Sequence, residues 1–111
     1  MRRDRQRLED ILEAIERIER YTAAGRAAFD RQELVQTWVV HHLQIIGEAV
    51  RGLSEGFREA NVGVPWSQIA AMRNILVHDY FGIDANEVWL AVERDVPGLK
   101  AKVTALLAET T

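Results

Sequence analysis

Leu8, Ile11, Leu12, Ile15 and Ile18 recur at three- and four-residue intervals, with Glu9, Asp10, Glu13, Glu16, Arg17 and Arg20 between them. That is the spacing of a helix with one apolar face. The pattern predicts a helix from about Asp4 to Ala24, stopped by Gly25, a residue suited to the backbone that ends helices. Asp30 followed by Glu33 reads as an N-cap with its capping-box partner, opening a second long helix that runs through about Ser54. The apolar positions of this second helix, among them Leu34, Trp38, Val39, Leu43, Ile46 and Val50, wrap most of its circumference. Only His41, Gln44, Glu48, Arg51 and Glu55 form a polar stripe, and a helix apolar on most sides belongs among other helices.

Gly56 to Pro65, with Gly56, Asn61, Gly63 and Pro65, reads as a loop. A third helix is predicted over about Trp66 to Tyr80, closed by Phe81 and Gly82. Asp84 and Glu87 repeat the capping-box pattern, so a fourth helix carrying Val88, Trp89 and Val92 starts near Ala85. Pro97 breaks or restarts it, and Leu99, Val103, Leu106 and Leu107 supply a last apolar stripe. No stretch alternates with period two for long enough to make a strand. The expected fold is all-α, a four- to five-helix bundle forming a single helical domain over residues 1–111.

Composition narrows the chemistry. A chain of 111 residues, 48% hydrophobic, is expected to build one core. The absence of cysteine removes disulfides, thiol nucleophiles and zinc-cysteine sites, and fits a cytoplasmic setting. No apolar run is long enough to span a bilayer, so no membrane association is expected. Met1 to Arg5 has the charge of a signal-peptide start, but the Leu8–Ile18 stretch is amphipathic, and no targeting segment is expected. The formal net charge of −3 disfavours a protein that coats nucleic acid by bulk charge. Any RNA contact is then local. Arg2, Arg3, Arg5 and Arg7 offer one such patch, and a frayed, solvated terminus is the commoner explanation of such a run.

Three constellations invite chemistry. Gly52-Leu53-Ser54-Glu55-Gly56 matches the G-x-S-x-G pattern, yet a nucleophile elbow needs a strand and a large sheet; a helix end is the better reading. His41 and His42 are adjacent, about 100° apart on a helix, and no Glu-x-x-His accompanies them, so neither is assigned a metal. No metal and no cofactor are expected. The third constellation lies on the third helix, where Trp66, Ile69, Ala70, Arg73, Leu76, Val77 and Tyr80 share a stripe. Arg73 therefore falls among apolar positions, where an unpaired guanidinium is costly. Glu48 on the polar stripe of the second helix is its candidate partner, and a buried Arg73–Glu48 ion pair of purely structural role is one reading.

The other reading is catalytic. Asn74 and His78 are four apart and share a face, whereas Arg73 and His78 lie roughly 140° apart round the helix and straddle a groove. Two copies of such a helix meeting across a two-fold axis place two arginines and two histidines around one cleft. Arginine supplies fixed planar donors for phosphate oxygens and for the charge of a pentacoordinate transition state. Histidine carries protons near neutrality. With RNA as substrate the 2′-hydroxyl is the nucleophile, so this inventory suffices.

Arg73-Asn74, His78-Asp79-Tyr80 and their spacing resemble the Arg-x-x-x-x-His-x-Tyr motif of HepT-like toxins, within the HEPN superfamily of all-α ribonucleases. The resemblance extends along nearly the whole chain, through Asp10-Ile11-Leu12-Glu13-Ala14-Ile15, Ile46-Gly47-Glu48-Ala49, Leu53-Ser54, Pro65-Trp66-Ser67-Gln68-Ile69, Met72-Arg73-Asn74, Val88-Trp89 and Val96-Pro97-Gly98-Leu99. It implies a homodimeric, metal-independent endoribonuclease that dimerises through its motif helices. On that resemblance Arg73 stabilises the phosphate, His78 does the acid or base chemistry, and Asn74 supports the cleft. It also implies a toxin paired with an MNT-type nucleotidyltransferase antitoxin that inactivates it by AMP transfer to Tyr80. The alternative is a noncatalytic helical dimerisation or nucleotide-binding module partnering a nucleotidyltransferase.

Overall fold

The computed structural model describes the backbone of residues 2–77 and 84–109, and the side chains of residues 3–71 and 84–109. These residues are helical almost throughout. The helices are α1 (Arg2–Thr22), α2 (Arg26–Arg31), α3 (Glu33–Gly52), α4 (Glu55–Ala60), α5 (Trp66–Val77), α6 (Ala85–Leu90) and α7 (Val96–Glu109), with a π-helical turn over Ala91–Asp95 joining the last two. Four long rods dominate: α1, α3, α5 and the continuous α6–π–α7. The four- to five-helix all-α bundle is the observed fold, with no strand among the described residues.

α1 and α3 pack along each other. They run antiparallel, because Asp4 at the start of α1 accepts hydrogen bonds from Ser54, just beyond the end of α3, at 2.7 Å from the backbone N–H and 2.8 Å from Oγ. α7 covers the other side of α1, also antiparallel: Arg5 Nη1 donates to the Leu107 carbonyl (3.3 Å) at one end and Lys100 pairs with Glu19 (2.9 Å) at the other. α5 packs on α3. Leu8, Ile11, Ile15 and Ile18 of α1 are fully buried against Leu43, Ile46 and Val50 of α3 and Val103 of α7. The apolar stripe read from the sequence is thus the core.

Two short helices depart from expectation. Asp30 does not cap the second long helix. It lies in α2, where its carboxylate meets Arg26 one turn back at 3.4 Å, and the cap of α3 is Gln32 in extended conformation. The six-residue α2 buries one anchor, Phe29, which is 1% exposed and packs its ring 5.2 Å from that of Trp89. The stretch expected to be a loop contains α4, capped by Ser54, whose Oγ accepts from the Phe57 N–H at 3.1 Å. Gly56 sits inside that helix. Gly25 does end α1, and its φ of 90° with ψ of 177° is a backbone that only glycine adopts without strain.

Asp84 caps α6 as expected, its side chain accepting from the Glu87 N–H. Pro97 does not break the chain there. Its missing N–H and the clash of its ring with the carbonyl four residues back coincide with the widened π turn, which lets the helix continue into α7.

Candidate functional site

The start of α5 is held from several sides. Asn61 closes α4, donating from Nδ2 to the Phe57 carbonyl at 2.9 Å, and its own carbonyl accepts from Trp66 Nε1 at 3.0 Å. Trp66 is 5% exposed and its ring lies 6.2 Å from that of Phe57. Lys102 Nζ of α7 donates to the Gly63 carbonyl at 2.8 Å. The turn between α4 and α5 is therefore fixed to both its own helix and α7, and with it the origin of the helix that carries Arg73.

Along α5, Trp66 is buried and Ile69 and Ala70 are half-buried, the first half of the stripe that the sequence predicts. Arg73 occupies the next position of that register, one turn beyond Ile69, on the described backbone of α5. The side chains of Arg73 and Asn74 lie outside the described residues, and so do His78 and Tyr80 altogether. Glu48 is exposed on α3, the helix against which α5 packs. The structure thus brings together the two helices that bear Arg73 and Glu48.

The remaining candidates fall into place as structural groups. Ser54 of the G-x-S-x-G match is a helix cap and the hydrogen-bond partner of Asp4, itself 2% exposed. His42 is buried, and its Nδ1 donates to the Trp38 carbonyl one turn back at 2.7 Å. His41 is exposed and stacks on the Trp38 ring, with centroids 5.2 Å apart and planes 14° from parallel. Tyr21 completes the cluster edge-on to Trp38 at 6.0 Å. Trp38 remains 42% exposed and Leu34 86%, so α3 is enclosed less completely than its apolar sequence implies. The N-terminal arginines are not a frayed end: α1 is helical from Arg2, Asp4 is anchored, and Arg5 reaches α7. Arg7 lies 3.9 Å from Asp10.

Sequence reading missed a cavity of about 250 Å³ between the start of α5 and the π turn. Its walls are largely aliphatic, from Val64, Pro65, Ile69, Val96 and Leu99, and Arg94, Asp95, Gln68 and Lys102 stand round it. Pro97 was the one sequence signal pointing to this place. Among the described residues no group of three histidines, aspartates or glutamates forms a metal-binding set, and no helix is long and apolar enough to cross a membrane.

Comparison with known proteins places these elements in a family context. A family model described as ribonuclease HepT-like matches residues 11–106. A protein of Methanocaldococcus jannaschii named "Gamma-glutamylcyclotransferase and putative RNase" is 39% identical over 103 residues, covering 92% of this chain and 46% of that protein. A "Probable ribonuclease HepT" of Thermococcus cleftensis is 39% identical over 102 residues, covering 89% of this chain and 91% of the relative. A "Putative RNase" of Caldanaerobacter subterraneus subsp. tengcongensis is 37% identical over 108 residues, 96% of each chain. The chain thus spans less than half of the first of these relatives and nearly all of the other two. No solved structure matches.

Proposed function

The chain belongs to the HepT-like ribonuclease family, and from that premise we propose that it is a metal-independent endoribonuclease, the toxin of a toxin–antitoxin pair acting in the cytoplasm. The observation that carries the reading is that the matched span, residues 11–106, contains Arg73, Asn74, His78 and Tyr80 complete and in the motif's order. The site is composite: the motif helices of two copies meet, and each contributes Arg73 and His78 to one cleft.

In this cleft the 2′-hydroxyl of the substrate attacks the adjacent phosphorus. The new P–O2′ bond forms as the P–O5′ bond breaks, leaving a 2′,3′-cyclic phosphate and a 5′-hydroxyl. His78 takes the 2′ proton or delivers one to the departing 5′ oxygen. Arg73 stabilises the charge of the pentacoordinate phosphorane through planar, permanently charged donors. Asn74 and Glu48 support this arrangement, Asn74 by orienting the imidazole and Glu48 by holding the guanidinium. Neutralisation follows from Tyr80. Its phenol oxygen attacks the α-phosphorus of a nucleoside triphosphate in the MNT-type antitoxin, pyrophosphate leaves, and the bound AMP places negative charge where RNA phosphate would sit.

The test is cleavage of single-stranded RNA and tRNA in excess chelator by the parent, His78→Ala and Arg73→Ala, each shown by circular dichroism and sedimentation to be folded and dimeric. Cleavage by the parent alone, with cyclic-phosphate ends, is the expected result. A parent that cuts nothing, though folded and dimeric, is the result expected of a noncatalytic module; with Glu48 exposed, the Arg73–Glu48 contact is not the fully buried ion pair that the sequence offers as one reading.

A further inference from the structure

We infer that the cavity between the start of α5 and the π turn holds one nucleobase of the RNA strand, within one nucleotide of the phosphate that is cut. The inference rests on reading the chain as an RNA-acting protein, and deepens it by naming where substrate sequence is felt.

Size comes first. About 250 Å³ falls just below the ~300–1,000 Å³ of pockets for drug-sized ligands. The cavity therefore suits a single flat ring system better than a whole nucleotide. Its walls suit a base face: Val64 and Pro65 on one side and Val96 and Leu99 on the other are aliphatic. Gln68 and Asp95 supply an amide and a carboxylate that can hydrogen-bond a base edge.

Charge is the second argument. Arg94 and Lys102, both exposed, stand at this cavity in a chain whose net charge is −3. Lys102 is tethered by its bond to the Gly63 carbonyl, so one cation has a fixed place beside the opening. Two cations flanking an apolar slot match a base with phosphates on either side of it.

Position is the third. Ile69 lines the cavity, and Arg73 is one helical turn further along α5 in the same register, about 6 Å along the axis. A strand whose phosphate lies at the motif therefore passes the cavity within a short reach. The rim residues Arg94 and Asp95 belong to the π turn, and such turns recur at functional sites.

Gly98 provides the test. It lines the cavity, and no atom lies within 4 Å of the place a Cβ would take, so Gly98→Phe sets a phenyl ring beside the cavity with no clash at its Cβ. Binding is read by fluorescence anisotropy with a labelled 2′-O-methyl hexanucleotide, which has no free 2′-hydroxyl to attack, and with six versions carrying one abasic nucleotide each. For the parent, the abasic substitution at one position weakens binding by about tenfold, the loss expected when roughly 55 Å² of apolar base surface is no longer buried. Gly98→Phe weakens the intact hexamer by a similar factor and shows no further loss from that abasic substitution. Arg94→Ala weakens all the oligonucleotides alike and lowers the salt dependence.

A Gly98→Phe protein, folded by circular dichroism, that keeps the parent's affinity and abasic profile overturns the inference. So does a parent that does not bind the hexamer, or one that binds a free 5′-mononucleotide as tightly as the hexamer. Because the probe cannot be cut, the outcome stands apart from the cleavage reading. Binding through the cavity without cleavage sinks the nuclease alone, and cleavage with an unchanged abasic profile sinks the cavity alone.

Discussion

Asp4→Ala is expected to destabilise the protein far more than a substitution three residues from the first methionine ordinarily would. The carboxylate is 2% exposed and accepts two hydrogen bonds from Ser54, at 2.7 Å from N–H and 2.8 Å from Oγ, closing fifty residues of chain. Hydrogen bonds to a charged group contribute about 1.5–3 kcal/mol each, but two bonds to one partner residue do not add fully, so a loss of about 3 kcal/mol is expected. That is a large share of the ~5–15 kcal/mol that separates folded from unfolded states, and corresponds to a fall in Tm of roughly 12 °C. Ser54→Ala should cost about 2 kcal/mol, since it loses one Asp4 bond and the cap of α4 together. The double variant should cost less than the sum by about 1–2 kcal/mol, because the second change removes a partner already lost. Urea unfolding followed by far-ultraviolet circular dichroism measures all three. An Asp4→Ala protein within ~0.5 kcal/mol of the parent, or strict additivity in the double variant, would refute the claim that this contact ties α1 to the α3–α4 junction.

Phe29→Ala should cost about 3–5 kcal/mol in the same assay, because α2 has one buried anchor and no side-chain cap. Gly25→Ala should lose about 1–3 kcal/mol from backbone strain alone, since a φ of 90° is retained while the space around the new methyl is open; no loss would mean that the turn relaxes. Lys100→Ala should change stability by less than about 1 kcal/mol, because its partner Glu19 and the ammonium are both well exposed; a larger effect in urea unfolding would show that the pair orders the α1–α7 contact.

The long helices were legible because burial imposes a period. Leu8, Ile11, Ile15 and Ile18 could face only one way, and that face is the core. Gly25 and the Asp84–Glu87 pair carried enough local chemistry to place a stop and a start. The short helices had no such signal. Six residues make too few turns for a stripe, so α2 was hidden, and Asp30–Glu33 mimicked a cap while Asp30 in fact pairs with Arg26 inside α2. In α4 the glycine at 56 argued for a loop more loudly than Ser54 argued for a cap, yet the cap prevails because Asp4 holds Ser54 from the other side.

The site divides in the same way. Arg73 stood out because a charge fell in an apolar stripe, a purely local anomaly; helical spacing and residue chemistry then singled out Asn74 and His78, and the resemblance added Tyr80. Glu48 was reached by matching helical faces, and its helix does pack on α5. The cavity was invisible because Val64, Ile69, Arg94 and Leu99 come together only through the packing of the α4–α5 turn against the π turn. The Trp38–His41 stack was equally hidden, since period alone assigned Trp38 to the buried circumference of α3, where it stands 42% exposed.

The central claim is that the RNA itself supplies the nucleophile. Once one cleaved position is mapped in a short single-stranded RNA, the same oligonucleotide is made with a single 2′-deoxy nucleotide on the 5′ side of that phosphate and incubated with the protein in excess chelator. The account predicts that the cut at this position disappears while cleavage elsewhere in the strand continues. Cleavage that persists at the deoxy position would contradict it, because water and not the 2′-hydroxyl would then be the attacking group.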